Sequence, residues 1–378
     1  MNPLSPHTSA LRRICIALAA SVSALSITAC GVVDGIGDSD SSATPEKGDD
    51  ITVGLLLPDK DTARYAKFDE PLIKKEVATL TNNKGKVVYA NAEASVAEQS
   101  RQFQKMIADK VDVILVDALD AKAIAADVQK AKDANIPVIA YDRLAQGPID
   151  AYVSHDNELV GEVQGRAIMG ELGSRAESSK VVMMNGDPGD PNTALFKKGA
   201  LDELEGKVDI VEQYDTDKWS PVVAEANMGK AIEAVGVDDI AAVYAASDGL
   251  AGPVITALKA AGASRIPPVT GQDANLDAVQ RIVAGDQYMT VYKPFAEEAT
   301  QAARMAVFKV QGRSIEFDAL TQDKVDSPTQ DDIPAQLVPV IAVTQDNIEE
   351  TLIQDDVYTV KEICTAEYAA DCAAIGLK

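Results

Sequence analysis

The sequence predicts an α/β protein made of two doubly wound, parallel-sheet lobes joined by a multi-strand hinge. Three observations lead there. Apolar runs of strand length alternate with stretches of roughly ten to fifteen residues at helical spacing. That alternation starts afresh midway along the chain. The 378 residues exceed what one domain ordinarily holds, and 46% of them are hydrophobic, enough for two cores.

The N-terminus precedes the fold. Arg12 and Arg13 form a basic start, and residues 14–27 (ICIALAASVSALSI) are apolar but too short to cross a bilayer comfortably. They run into Ile27-Thr28-Ala29-Cys30, which resembles the lipobox of bacterial lipoproteins. The resemblance implies cleavage before Cys30, a lipid on Cys30, and an exported protein anchored to the outer face of the cell membrane without spanning it. An ordinary signal peptide with an incidental cysteine is the alternative. Residues 1–29 are read as the signal. Residues 30–50, rich in Gly, Ser and Asp, are read as a flexible tether that cannot bury enough apolar surface to fold.

ITVGLLL (51–57) reads as the first buried strand, ended by Pro58-Asp59-Lys60-Asp61. Residues 67–80 have helical spacing, with Gly85 beyond their end. KVVYA (86–90), VDVILVD (111–117) and IPVIAY (136–141) are the next strands, separated by helices at 96–108 and 122–134. Their nearly unbroken apolar character is that of parallel strands covered on both faces. DAYV (150–153) is another extended piece, and SHDNELVGEVQG opens a helix at 157–172 that carries the chain into the second lobe. There the strands are KVVMMNG (180–186), VDIVEQY (208–214), IAAVYA (240–245) and IPPVTG (266–271), with helices at 193–204, 222–235 and 250–261.

A helix at 275–284, a strand QYMTVY (287–292) and a long helix at 295–310 then suggest a return to the first lobe. A loop rich in Asp, Gln and Pro leads to LVPVIAV (337–343), a last strand read as crossing back. The expected boundaries are 51–152 with 274–327 for the first lobe, and 153–273 with 328–378 for the second. Two or three crossings make a hinge, with the cleft between the lobes as the ligand site.

Open α/β sheets bind ligands beyond the C-terminal ends of their strands, so the polar residues there are the candidates. Arg64 and Tyr65 follow the first strand, and Asp142 and Arg143 follow the fourth. The second lobe offers GDPGDPN with Asn192, DTDKWSP with Trp219 (the one tryptophan), AASDG with Asp248, TGQDAN with Gln272 and Asp273, and TVYKP with Lys293. Planar charged and amide groups grip adjacent hydroxyls in pairs, and aromatic faces cover the C–H faces of a sugar ring. Plainer readings stand beside these. Asp248 and Asp273 would cap helices, Asn192 would form a turn, Trp219 would pack on a lobe surface, and Lys293 would pair with a hinge carboxylate. GDPGDPN has neither the spacing nor the Lys-Ser/Thr pair of a phosphate loop, and its acidic residues oppose a phosphate.

Taken together, YDR followed by HDNELVGEVQG, GDPGDPNTALFKKG, SDGLAG, TGQDANLDAVQRIVAGDQYMTVYKP and LVPVIAVTQDNI resemble the D-xylose-binding proteins. These are substrate-binding components of bacterial ABC sugar importers, within the ribose/galactose-type periplasmic binding proteins of type I fold. The resemblance runs over residues 51–357. It implies that Arg64 and Tyr65 lie against one face of a monosaccharide and Trp219 against the other. Asp142, Arg143, Asn192, Asp248 and Asp273 would bond the hydroxyls, with Lys293 at a crossing strand beside them. It further implies a monomer that closes on its sugar, an ABC permease as partner, and no cofactor or metal. Ser247 stands where the family often has Asn, Pro191 replaces the first of two Asn, and Tyr65 replaces a Trp. Changes at such positions alter sugar preference, so the expected ligand is D-xylose or a related aldose.

A formal charge of −24, or −26 once Arg12 and Arg13 leave with the signal, opposes nucleic-acid binding. No enzymatic apparatus stands out: the histidines are His7 and His155, and there is no GxSxG or metal-ligand cluster. The rival enzymatic reading takes Asp248 and Asp273 as the acid and base of a glycoside hydrolase. A sugar-responsive regulator of this fold would need an N-terminal helix-turn-helix. A sensor reporting sugar to a chemotaxis or kinase partner is compatible with the same binding role. Cys364 and Cys372 remain after Cys15 and Cys30 are set aside. In an exported chain they are expected to form one disulfide, since two cysteines without a nearby histidine make a poor metal site.

Overall fold

The computed structural model describes residues 47–60, 62 and 64–378; the signal segment, Cys30 and nearly all of the tether lie outside the described residues. β1 (Thr52–Leu57), α1 (Glu70–Leu80), β2 (Lys86–Asn91), α2 (Val96–Ala108), β3 (Val113–Val116), α3 (Ala125–Asp133), β4 (Val138–Tyr141) and β5 (Ala151–His155) follow the expected alternation. A π-helical turn, Tyr65–Asp69, leads into α1. Apart from the edge strand β2, these strands are buried on both faces: Leu55 and Leu57 belong to one core with α1, while Leu56 belongs to another with Phe103 and Met106 of α2. Two-sided burial is why these strands read as continuous apolar runs.

The second lobe comprises α4 (Asn157–Leu172), β6 (Lys180–Met184), α5 (Pro191–Leu204), β7 (Asp209–Tyr214), α6 (Pro221–Val235), β8 (Ile240–Ala245), α7 (Asp248–Ala260), α8 (Leu276–Ala284) and β9 (Thr290–Tyr292). The Asp156 carboxylate accepts from Leu159 N at 3.0 Å and so starts α4 at the crossing point. α4 and α5 touch backbone to backbone. A Cβ on Gly161 would lie 2.0 Å from the Phe196 carbonyl oxygen, and one on Gly199 would lie 1.9 Å from that of Glu158. This close crossing seats the N-terminus of α5 beside the cleft.

The chain then runs through α9 (Phe295–Val310), α10 (Ser314–Leu320), β10 (Asp323–Ser327) and β11 (Gln330–Val338), and on to β12 (Ile341–Val343), α11 (Val360–Ile363) and α12 (Ala369–Ile375). The first sheet has the order β10-β11-β5-β4-β3-β1-β2, parallel throughout except for β10. In the second lobe β7-β6-β8 are parallel, single bridges join Val243 to Val269 and Gln272 to Val291, and β9 pairs antiparallel with β12. Cys364 and Cys372 are disulfide-bonded with Cα atoms 5.9 Å apart, tying α11 to α12.

Five features differ from the sequence-based expectation. α8 and β9 remain with the second lobe, where Val279, Ile282 and Val283 pack against Val343, Leu352 and Ile363; of the stretch 274–327, it is α9 onward that joins the first lobe. The whole of β5 lies in the first sheet, so the crossing falls after His155 and not after residue 152. The polar loop before LVPVIAV is the β10–β11 hairpin. Val325, Ile333 and Ala335 turn to the core, while charged residues cover an edge strand, which hides its character. LVPVIAV itself is broken at Pro339, its first part ending β11 and its last part forming β12. IPPVTG forms no regular strand, because Pro267 and Pro268 have no N–H for the ladder.

Candidate functional site

The strand order β5-β4-β3-β1 brings the C-terminal ends of four neighbouring strands to one mouth. Asp142, just past β4, has φ 59°, a left-handed conformation that Asp tolerates better than most residues. Its carbonyl accepts from the Tyr152 hydroxyl at 2.8 Å and Ser154 Oγ at 2.7 Å, which fixes this backbone turn from β5. Its carboxylate joins the lobes. Oδ2 accepts from Arg64 Nη1 at 2.6 Å, and Oδ1 accepts from Asn192 Nδ2 of the second lobe at 3.0 Å. Burial alone would raise this carboxyl, but Arg64, Lys293 and Arg143 outweigh it and hold the group well below the usual carboxylate range.

Arg64 is buried and heavily engaged. Its Nη2 bonds Asp69 at 2.7 Å and Glu298 of α9 at 2.6 Å, its Nε bonds Asp69, and its guanidinium carbon lies 4.1 Å from the Phe295 ring centre. The Tyr141 hydroxyl donates to the same Asp69. Among the described residues one N–H on Nη1 is left without a protein acceptor. His155, at the first crossing, has its Nδ1 3.6 Å from Glu298 Oε2. Burial, with Lys293 and Arg64 nearby, holds the imidazole well below its ordinary pKa and therefore neutral.

Arg143 extends toward the second lobe, its Nε 2.9 Å from Asp190 Oδ2 and 3.5 Å from Asp117 Oδ1. Tyr65 is buried beside this group, with Asp117, Arg143 and Asp142 as its charged neighbours. Asp190 also caps α5 by accepting from Asn192 N at 2.9 Å, and it accepts from Trp219 Nε1 at 3.1 Å. The Trp219 ring lies over Gly186 and meets Phe196 edge-on, with ring centres 6.4 Å apart. Lys293 pairs with Asp273 Oδ1 at 2.8 Å. Burial would lower the ammonium pKa, but Asp273 and Asp142 overcome that and raise it. Tyr65, Asp142, Arg143, Asn192, Trp219, Lys293 and Asp273 thus converge between the lobes.

Asp248 is the exception. Its oxygens accept from Gln287 Nε2 at 2.7 Å, Thr290 Oγ1 at 2.9 Å and Asn275 N at 2.9 Å, all within the second lobe. Burial first, and then Asp273, push its carboxyl up to about 8 against the pull of those donors. It braces the segment carrying Asp273 more than it faces the cleft.

Sequence reasoning missed Asp117, Asp190, Asp69 and Glu298, and weighed Gly186 only as part of a discounted phosphate loop with Gly189. Asp117 and Asp190 carried a signal, standing at a strand end and directly before Pro191-Asn192. Asp69 and Glu298 carried none, since only the docking of α9 brings them to Arg64. Several buried polar atoms around the cleft have no hydrogen bond among the described residues: Asn192 Oδ1, Thr193 Oγ1 and Gln272 Oε1. Buried acceptors in that state carry a free-energy cost until a donor reaches them.

A periplasmic binding protein domain family model matches residues 53–314. The D-xylose-binding periplasmic protein of Haemophilus influenzae is 33% identical over 320 residues, covering 83% of this chain and 92% of that protein. The protein of the same name from Escherichia coli is 32% identical over 83% of this chain and 93% of its own length. The multiple sugar-binding periplasmic receptor of Rhizobium radiobacter is 28% identical, covering 82% of this chain and 92% of that protein. Among solved structures, an ABC transporter solute binding protein from Clostridium phytofermentans with bound β-D-glucose matches with a TM-score of 0.74 at 26% identity. That match covers 82% of this chain and 99% of the other.

Proposed function

The chain belongs to the periplasmic binding protein family, among its D-xylose-binding members, and from that membership we propose that it carries one monosaccharide to an ABC permease. The sugar, D-xylose or a related aldose, sits between the lobes. One observation carries this reading: charged and amide groups from both lobes meet around buried acceptors that lack donors, and sugar hydroxyls supply donors. Tyr65 and Trp219 cover the two faces of the ring. Asp142, Arg143, Asn192, Asp273 and Lys293 take its hydroxyls, and Arg64 acts chiefly by holding Asp142.

Binding works by population shift. The pairs Asp142–Asn192 and Arg143–Asp190 exist only when the lobes meet, so a ligand touching both lobes favours that state. The three crossings, at Asp156, at Lys293-Pro294 and at Pro339-Val340, serve as the hinge, and the closed form is what the permease recognises. Engagement of Asp248 by three donors and of Asp273 by Lys293 argues against that pair as a glycosidase acid and base.

A thermal-shift screen against pentoses and hexoses tests the reading. A true ligand at a hundred times its Kd stabilises the native state by about 2.7 kcal/mol, a rise of several degrees in Tm. A screen in which no aldose raises Tm contradicts it. Membrane attachment through a lipid on Cys30 is a separate proposal, resting on Ile27-Thr28-Ala29-Cys30. Cys30→Ser is expected to release the protein from the membrane fraction of its native host, and unchanged retention refutes the anchor.

A further inference from the structure

Asp117 directly follows β3, the strand between β4 and β1, and so stands at the centre of the first lobe's sheet edge. Its side chain has no solvent exposure, and neither oxygen has a well-formed hydrogen bond among the described residues, although the Tyr65 hydroxyl lies near enough to favour the ionised form. Burial pushes this carboxyl well above the ordinary carboxylate range, and the influence that most opposes it is a facing positive charge. That charge is Arg143, whose Nε lies 3.5 Å away. The same Nε lies 2.9 Å from Asp190, which belongs to the other lobe. One guanidinium nitrogen therefore sits between a carboxylate that travels with it and a carboxylate that departs when the lobes part.

We propose that Asp117 is a positioning residue for Arg143: with the lobes apart it holds the guanidinium by Nε, leaving the Nη groups free for an incoming sugar, and Asp190 takes over on closure. The geometric part stands alone, while its consequence for sugar capture rests on the sugar-binding reading. The two carboxylates then govern different steps. Asp117 acts on the open form that meets the sugar, and Asp190 on the closed form that retains it.

Trp219 is the only tryptophan and lies in the cleft, so its fluorescence in stopped flow reports binding. With D-xylose and D-glucose as probes, Asp117→Ala is expected to lower the association rate about tenfold and to leave dissociation within about twofold. Asp117→Asn, which keeps an acceptor oxygen for Nε, is expected to restore association. Asp190→Asn keeps the α5 cap and is expected to speed dissociation about tenfold. Should the alanine variant not fold, Asp117→Ser gives the same comparison. An unchanged association rate in Asp117→Ala, or an Asn variant as slow as the Ala variant, overturns the proposal. A second arm needs no sugar. Solvent exchange of the Arg143 Nε–H proton, identified by its loss in Arg143→Lys, is expected to be at least about fivefold faster in Asp117→Ala than in the wild type. Equal exchange overturns the positioning role whatever binds. Faster exchange in a protein that binds neither sugar supports the role and counts against the sugar reading alone.

Discussion

Asp142→Ala is expected to abolish measurable sugar binding while the fold survives. The substitution removes the carboxylate that accepts from Asn192 across the cleft and from Arg64 beneath it, leaving Asn192 only the longer bond to the Asp142 carbonyl at 3.2 Å. Arg64 keeps Asp69 and Glu298, so no buried guanidinium is left without a counter-charge, and the cost falls on the cleft. Truncating one partner of a buried, hydrogen-bonded charge pair costs about 2–5 kcal/mol, which at about 1.4 kcal/mol per decade is roughly thirtyfold to several thousandfold in Kd. Alanine at a left-handed backbone position adds strain of about 1 kcal/mol, so Asp142→Asn, which tolerates that conformation, is the companion variant. Calorimetry reads affinity and far-ultraviolet circular dichroism reads the fold. An unchanged Kd in both variants means that Asp142 is no part of the site.

Gly186→Ala is expected to weaken sugar binding at least about tenfold, about 1.4 kcal/mol, through Trp219. A Cβ at this position would lie 2.1 Å from Trp219 Cη2 and 2.4 Å from Cζ2, far inside van der Waals contact. The indole has little freedom to yield, since its Nε1 is bonded to Asp190 and its edge is packed on Phe196. Removing the methyl-sized gap therefore moves the aromatic wall. Gly189→Ala is the control, because its nearest atom would be 3.5 Å away on the Asp187 carboxylate. Titrations of both variants by tryptophan fluorescence are expected to separate them. Equal affinities would detach Trp219 from the ligand.

The strands and their order of appearance were legible wherever both faces of a strand are buried, as in β1, β3 and β4, because unbroken apolar runs leave little else for them to be. Asp142 and Arg143 were legible for a related reason, since a polar pair closing such a run must sit at the sheet edge. Lobe membership was not. α8 and α9 look alike in sequence, yet one packs on Val343 and Leu352 and the other on Ile73 and Val77, a choice made by distant partners. The β10–β11 hairpin was obscured because an exposed edge strand is protected by the same charged residues that mark a loop. Arg64 was found, but not its task. Asp69 comes from a π-helical turn and Glu298 from a helix more than two hundred residues on, and no local pattern foretells that they meet. Asp248 shows the converse, a polar residue at a strand end whose donors all come from its own lobe.

Small-angle X-ray scattering of the mature protein, with and without saturating aldose, most directly tests whether sugar draws the two lobes together. The radius of gyration is expected to fall when the sugar is added to the wild type and to stay constant in Asp142→Ala. Identical scattering curves for the wild type, at sugar concentrations where calorimetry records full occupancy, would contradict capture by lobe closure.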